Sequence, residues 1–176
     1  SHRIIDMREC FILRTELFAL VVPLRKLMGT LLGPRGSGSV RMALADQGPD
    51  LLLEGVKANG LEAAETISAF AETYRIARIA IDDGYGPQTR WEPEPVTITL
   101  GGVPVPLPHG AFLQATAEGE AALVSGVREA IGPATTIADL FAGLGTFALS
   151  LPGRILAAEG ARDAAQALKA AANRAQ

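Results

Sequence analysis

The sequence predicts an α/β chain in two parts: an α+β region over residues 1–110 and the opening of a parallel βα sheet over residues 111–176. Two strand–turn–strand patterns before residue 110, and a strand–helix alternation after it, carry this division. A glycine-rich turn between a strand and the following helical pattern marks the second part as ligand-binding in type.

The first helix is expected from Glu16 to Leu32. There Leu17, Leu20, Val21, Leu24, Leu27, Met28 and Leu31 recur at helical spacing, and Pro23 is confined to an early turn or a kink. The glycines from Gly33 to Gly38 end it. Val40 to Leu44 and Leu51 to Val56 flank the turn residues Asp46 to Asp50, a β-hairpin pattern. Leu61 to Tyr74 is rich in Ala and Glu and reads as a helix; Ile76 to Ile81 reads as a strand closed by Asp82, Asp83 and Gly84. Val96 to Leu100 and Val103 to Leu107 form a second hairpin around Gly101 and Gly102, whose freedom at positive φ suits a two-residue turn. Pro104 and Pro106 place that hairpin at an edge. After His109 and Gly110 come a helix over Glu118–Ile131, a strand over Thr135–Leu140, a helix start over Thr146–Leu151, a strand over Arg154–Glu159 and a helix over Asp163–Ala175. Two parallel strands cannot cover the helices that pack on them, and open sheets of this type carry about five or six strands. The expectation is therefore a truncated sheet.

Composition sets the outer limits. With 176 residues, 48% hydrophobic and 20% charged, the chain can bury a core, which excludes disorder and collagen. The net charge is −3, but residues 1–45 carry seven Lys/Arg against three Asp/Glu. Arg3, Arg8, Arg14, Arg25, Lys26, Arg35 and Arg41 could meet phosphates, or form an ordinary solvated face. No apolar run reaches the roughly 18 residues of a membrane span, because Pro23 and then Arg25 and Lys26 interrupt the longest one. One cysteine makes no internal disulfide, and no secretory leader pattern opens the chain, so a cytoplasmic setting is expected.

The most informative stretch runs from Ile137 to Leu151, strand into glycine turn into helix. Gly143 and Gly145 let backbone approach a ligand closely, unless they serve tight packing alone. Glu159 ends the next strand, where a carboxylate can accept from both hydroxyls of a ribose. An adenosine-bearing cofactor follows. Gly143 to Ala148 fits G-x-G-x-x-A, which keeps a nicotinamide dinucleotide and an oxidoreductase open as a reading. Asp139, however, stands just before the glycines, where a carboxylate repels a pyrophosphate and suits the cationic methionine end of S-adenosylmethionine. A second stretch, Pro106 to Glu120, offers the Phe112 ring for stacking and the Gln114 amide for donating and accepting, the properties that hold a splayed nucleobase. A buried Phe and a capping Gln are the alternative.

Phe112-Leu-Gln114 followed by a helix, Asp139-Leu-Phe-Ala-Gly-Leu-Gly-Thr-Phe147 and Glu159 together resemble the S-adenosylmethionine-dependent RNA 5-methyluridine methyltransferases. The opening from Ser1 to Cys10 is similar to the start of that family's central domain. The resemblance implies a central α+β domain over 1–110 and the first part of a Rossmann-like class I methyltransferase domain over 111–176. It implies methyl transfer to C5 of a uridine in ribosomal or transfer RNA, with RNA as partner; it implies no membrane and points to no particular protein partner. Gln114, Phe141, Thr146 and Glu159 would contact the cofactor beside Asp139, Gly143 and Gly145 would form the loop, and Phe112 with Gln114 would line the base site. Thr146 stands where many members carry Asn, and Ala115-Thr116 where many carry Val-Asn. Cys10 resembles the fourth ligand of an iron–sulfur cluster found in some members; one thiolate cannot hold a 4Fe-4S cluster, so it reads here as a free cysteine and as a ligand only in a longer parent.

In that family the attacking cysteine and the carboxylate base lie later in the sequence, so no catalytic residue is expected here. Uracil C5 becomes nucleophilic only after a thiolate adds at C6, and this chain alone is expected to bind without turnover. His2 reads as an expression remnant, His109 as a solvated loop residue and Trp91 as a hydrophobic anchor. A noncatalytic RNA-binding module is the remaining class.

Overall fold

The computed structural model describes residues 6–174. The predicted first helix divides into α1 (Thr15–Phe18) and α2 (Val21–Leu31). Pro23 falls in the first turn of α2, where its missing N–H has no helical partner to lose. The stripe of Leu20, Leu24, Leu27 and Met28 is buried. β1 (Ser39–Ala45) and β2 (Gly48–Glu54) pair antiparallel with Ala45 opposite Gly48, so the turn is only Asp46 and Gln47, shorter than the predicted Asp46–Asp50.

From β2 the chain passes through α3 (Leu61–Thr73) to β3 (Arg78–Asp82), which lies parallel to β2, and returns antiparallel through β4 (Gln88–Trp91). The sheet order is β1-β2-β3-β4. β4 is missing from the sequence reading because its residues are short, polar and exposed, with no alternation to reveal it. Trp91 anchors it as expected: its ring packs against the core and its Nε1–H donates to the Ile76 carbonyl at 2.9 Å. One sheet face, with Leu51, Leu53, Ile79 and Ile81, packs on α2 and α3. The opposite face, by register, carries Arg41, Asp50, Leu52, Glu54, Arg78, Ala80 and Asp82.

The second hairpin is β5 (Thr97–Leu100) and β6 (Val103–Pro106). Gly101 and Gly102 turn at φ 56° and 82°, the paired positive values of a tight hairpin turn. Asp46 clasps the hairpin to the β1–β2 turn by accepting from the Thr97 hydroxyl at 2.7 Å and the Thr99 N–H at 3.1 Å.

Beyond residue 116 run α4 (Ala117–Ile131), β7 (Thr136–Leu140), β8 (Arg154–Ala158) and α5 (Arg162–Arg174), with β7 and β8 parallel. Thr116 caps α4, its hydroxyl accepting from the Gly119 N–H. The helix expected from Thr146 to Leu151 is instead a run of turns: Leu149 N–H bonds back to the Gly145 carbonyl and Leu151 N–H to Phe147, but Pro152 and Gly153 follow before a second turn can form. α5 packs on β6 in a second core of Val96, Leu100, Val105, Leu107, Leu144, Ala167 and Ala171. α4 buries no residue, and Leu140 and Leu156 stand 65% and 70% exposed, as expected of a sheet with only two strands. Among the described residues, no helix is long and apolar enough to cross a membrane.

Candidate cofactor and base site

The site grows from the C-terminal ends of β7 and β8. β7 runs out at Leu140, and Phe141 turns the chain at φ 62° with its ring 90% exposed. Left-handed backbone costs a bulky residue about 1–2 kcal/mol, strain that is concentrated at ligand sites in folded proteins. The next N–H, that of Ala142, bonds to the Ala158 carbonyl at 3.0 Å and ties the turn to the end of β8.

The two glycines of the turn do different work. A Cβ on Gly143 (φ 57°) would meet no atom within 4 Å, so this residue serves the backbone turn and leaves open space. A Cβ on Gly145 (φ 101°) would lie 2.5 Å from Leu168 Cδ1 and 3.1 Å from Leu149 Cγ, so here the glycine lets the loop close on α5. Of the two alternatives weighed from the sequence, tight packing holds for Gly145 and does not account for Gly143. Gly145→Ala should destabilise the fold by about 1–3 kcal/mol through overpacking and strained φ, read as a lowered urea midpoint.

Glu159 stands just past β8 and binds across to the loop. The Gly143 N–H donates to Oε2 at 2.7 Å and the Ala161 N–H to Oε1 at 2.6 Å. Those N–H groups, Ala161 foremost, hold its pKa below the usual carboxylate value, so the group is ionised at neutral pH. Each oxygen keeps a further lone pair. Asp139, on β7, is the opposite case: burial raises its pKa, with the Ala148 amide opposing, and Oδ2 is buried without a hydrogen-bond partner among the described residues. An unmet buried carboxylate oxygen calls for a donor, and a cationic one best. Thr146 sits half-buried in the same turn.

Phe112 and Gln114 lie elsewhere. They line a cavity of about 830 Å³ together with Cys10, Arg14 and Arg41, and none of the glycine-turn residues lines it. Phe112 is 80% exposed rather than buried. Cys10 accepts at Sγ from the Leu13 N–H at 3.3 Å, and no cluster of three or more metal-ligating side chains exists among the described residues. With one cysteine in the sequence, a four-iron cluster does not fit these residues.

Sequence reasoning missed the buried ion pair of Arg78 and Asp50, whose side chains are 5% and 10% exposed. Arg78 Nε and Nη2 grip the two Asp50 oxygens at 2.8 and 2.7 Å, and Nη1 donates to the Leu107 carbonyl at 2.8 Å. The available signal was an arginine inside the apolar run from Ile76 to Ile81. His109, expected to be solvated, is half-buried with Nε2 3.1 Å from the Thr89 hydroxyl. Burial and then the nearby Arg78 lower its pKa, against Asp50 and Glu92. A depressed histidine binds its proton more weakly in the folded state, so stability should fall as pH drops from 6.5 towards the folded value. Thermal melts at pH 5 and 7.5 should show this loss in the wild type and a smaller one in His109→Gln.

No family model matches the chain. An RNA methyltransferase of Zymomonas mobilis, itself uncharacterised, is 53% identical over 174 residues, covering 98% of this chain and 44% of that protein. A 23S rRNA (uracil-1939-C5)-methyltransferase of Tolumonas auensis is 31% identical over 153 residues, covering 86% of this chain and 34% of that protein. Among solved structures, the tRNA (uracil-54, C5)-methyltransferase of Pyrococcus abyssi, in complex with S-adenosyl-L-homocysteine, superposes with a TM-score of 0.72 at 14% identity. It covers 98% of this chain, which covers 46% of that one, and shows a shared fold. The chain thus spans less than half the length of the relatives it matches. With identity running almost end to end, the chain is similar to a portion of proteins named RNA methyltransferases, one of them a uracil-C5 enzyme, and it shares its fold with a tRNA uracil-C5-methyltransferase.

Proposed function

We propose that this chain is the central and cofactor-binding portion of an enzyme that transfers a methyl group from S-adenosylmethionine to C5 of a uridine in ribosomal or transfer RNA. Residues 1–110 would be the central α+β domain and residues 111–176 the start of the methyltransferase domain. The observation that carries this reading is the Glu159 carboxylate, ionised and oriented by the Gly143 and Ala161 N–H groups just past β8, with the unmet Asp139 oxygen on the paired strand β7. When bound, S-adenosylmethionine supplies an electrophilic methyl group. Glu159 would accept from the ribose hydroxyls with its free lone pairs, Asp139 would take the cationic methionine end, and the exposed Phe141 ring would offer an apolar face to the ligand. Thr146 would add a cofactor contact within the turn, while Gln114, expected from the sequence at the cofactor as well, lines the other cavity with Phe112 and would receive the target base with it. The positive charge of residues 1–45 supports an RNA partner, and the lone cysteine supports a cytoplasmic setting.

A nicotinamide-binding oxidoreductase is disfavoured by Asp139, whose carboxylate would face a diphosphate. Calorimetric titration of the full-length protein tests the choice. S-adenosylhomocysteine should bind and NADH should not. NADH binding with no response to the adenosyl ligand would replace this reading with the oxidoreductase one. Salt-sensitive RNA binding without either cofactor would leave a noncatalytic RNA-binding module.

A further inference from the structure

The segment joining β6 to α4 is held against the sheet face opposite the first core at several points. Leu107 is fixed through both of its backbone polar groups: its N–H donates to the Val96 carbonyl at 3.0 Å and its carbonyl accepts from Arg78 Nη1 at 2.8 Å. Arg78 cannot swing away, because its other donors are spent on the two oxygens of Asp50 in a forked pair. Two residues on, His109 meets the Thr89 hydroxyl on the edge strand β4. Gly110 turns at φ 64° where a Cβ would lie 3.4 Å from Leu52 Cδ2, and the Ala111 N–H closes a turn on the Pro108 carbonyl. Immediately beyond this anchored stem come Phe112 and Gln114, the first of them 80% exposed, at the rim of the 830 Å³ cavity.

We propose that the buried Arg78–Asp50 pair, seconded by Thr89 and His109, is a positioning device that sets where the Phe112–Gln114 segment stands over the cavity. The proposal rests on the reading of Phe112 as a base contact. A charge pair buried in a sheet gives little net stability compared with apolar packing, so its worth lies in direction. Here the third arm of the guanidinium reaches the one carbonyl from which the segment departs. Arg78, Asp50, Thr89 and His109 touch neither base nor cofactor in this reading; they act through the backbone of residues 107–111.

The test is steady-state methylation of unmodified ribosomal and transfer RNA transcripts by the full-length protein, alongside S-adenosylhomocysteine binding. Arg78→Lys keeps the charge and loses the fork; it should lower kcat at least tenfold and leave the S-adenosylhomocysteine Kd within twofold. In a Phe112→Ala background the same change should cost less than a further twofold, since both act on one step. Thr89→Val, on an exposed edge, should lower kcat about threefold at unchanged Tm, and it carries the test if Arg78→Lys fails to fold. A full tenfold loss added on top of Phe112→Ala, cofactor affinity falling together with kcat, or a Thr89→Val protein at wild-type rate would each overturn the positioning role. Wild-type kinetics for Phe112→Ala alone would instead remove the base-contact reading, and the positioning role with it.

Discussion

Asp50→Ala should cost about 3–5 kcal/mol of folding stability, the largest loss expected from any polar substitution in this chain. Arg78 would then keep a guanidinium that is 5% exposed with only the Leu107 carbonyl to answer it. Desolvation of that charge is offset by two short bonds to Asp50, at 2.7 and 2.8 Å, and Asp50→Ala removes both. For a chain of this size the loss corresponds to roughly 10 °C in Tm. The contrast that isolates the cause is the double variant Asp50→Leu with Arg78→Met, which removes both charges and should recover most of the loss, less the cost of the Leu107 carbonyl left unpaired. Urea unfolding of the three proteins checks this. A loss under about 1 kcal/mol for Asp50→Ala would mean that the pair behaves like an exposed one.

Glu159→Ala should weaken S-adenosylhomocysteine binding roughly tenfold to a hundredfold, the range for losing hydrogen bonds to a charged acceptor. Two effects combine. On the proposed reading the ribose loses its acceptor, and the Gly143 N–H, which donates to Oε2 at 2.7 Å, is no longer tied to the end of β8. Glu159→Gln separates them: an amide oxygen can still accept from Gly143 but brings no charge and offers one acceptor rather than two, so its loss should be intermediate. Calorimetry on the full-length protein reads both. Equal affinity in wild type and Glu159→Ala would remove the ribose role. The depressed pKa adds a condition, because the carboxylate must be ionised to accept at both oxygens. Stability contributed by this group is present above the unfolded carboxylate value and lost as pH falls through the lower folded one.

Much of the architecture was legible in the sequence because it depends on near neighbours. Leucines three and four apart announce α2, alternating residues around Gly101 and Gly102 announce the second hairpin, and the strand-to-glycine passage at Asp139–Gly145 announces the end of β7. The failures have equally local causes. A helix was expected after Gly145 from the strand–turn–helix alternation, but Pro152 arrives before the segment can offset the cost of nucleation. β4 has no hydrophobic pattern and exists only because β3 offers it a free edge.

By itself the sequence determined α2 to α5, the two hairpins, the order of β7, β8 and α5 and the residues of the glycine turn, since propensity, periodicity and positive-φ demand act within a few residues. Only the tertiary structure decided that β3 pairs parallel to β2, that Arg78 meets Asp50 across 28 residues, that Gly145 serves the packing of Leu168 while Gly143 stays open, and that Phe112 and Gln114 gather at a cavity apart from the glycine turn. Those outcomes depend on which distant surfaces exclude water from one another and which buried charges find a partner. No window of neighbouring residues contains that information.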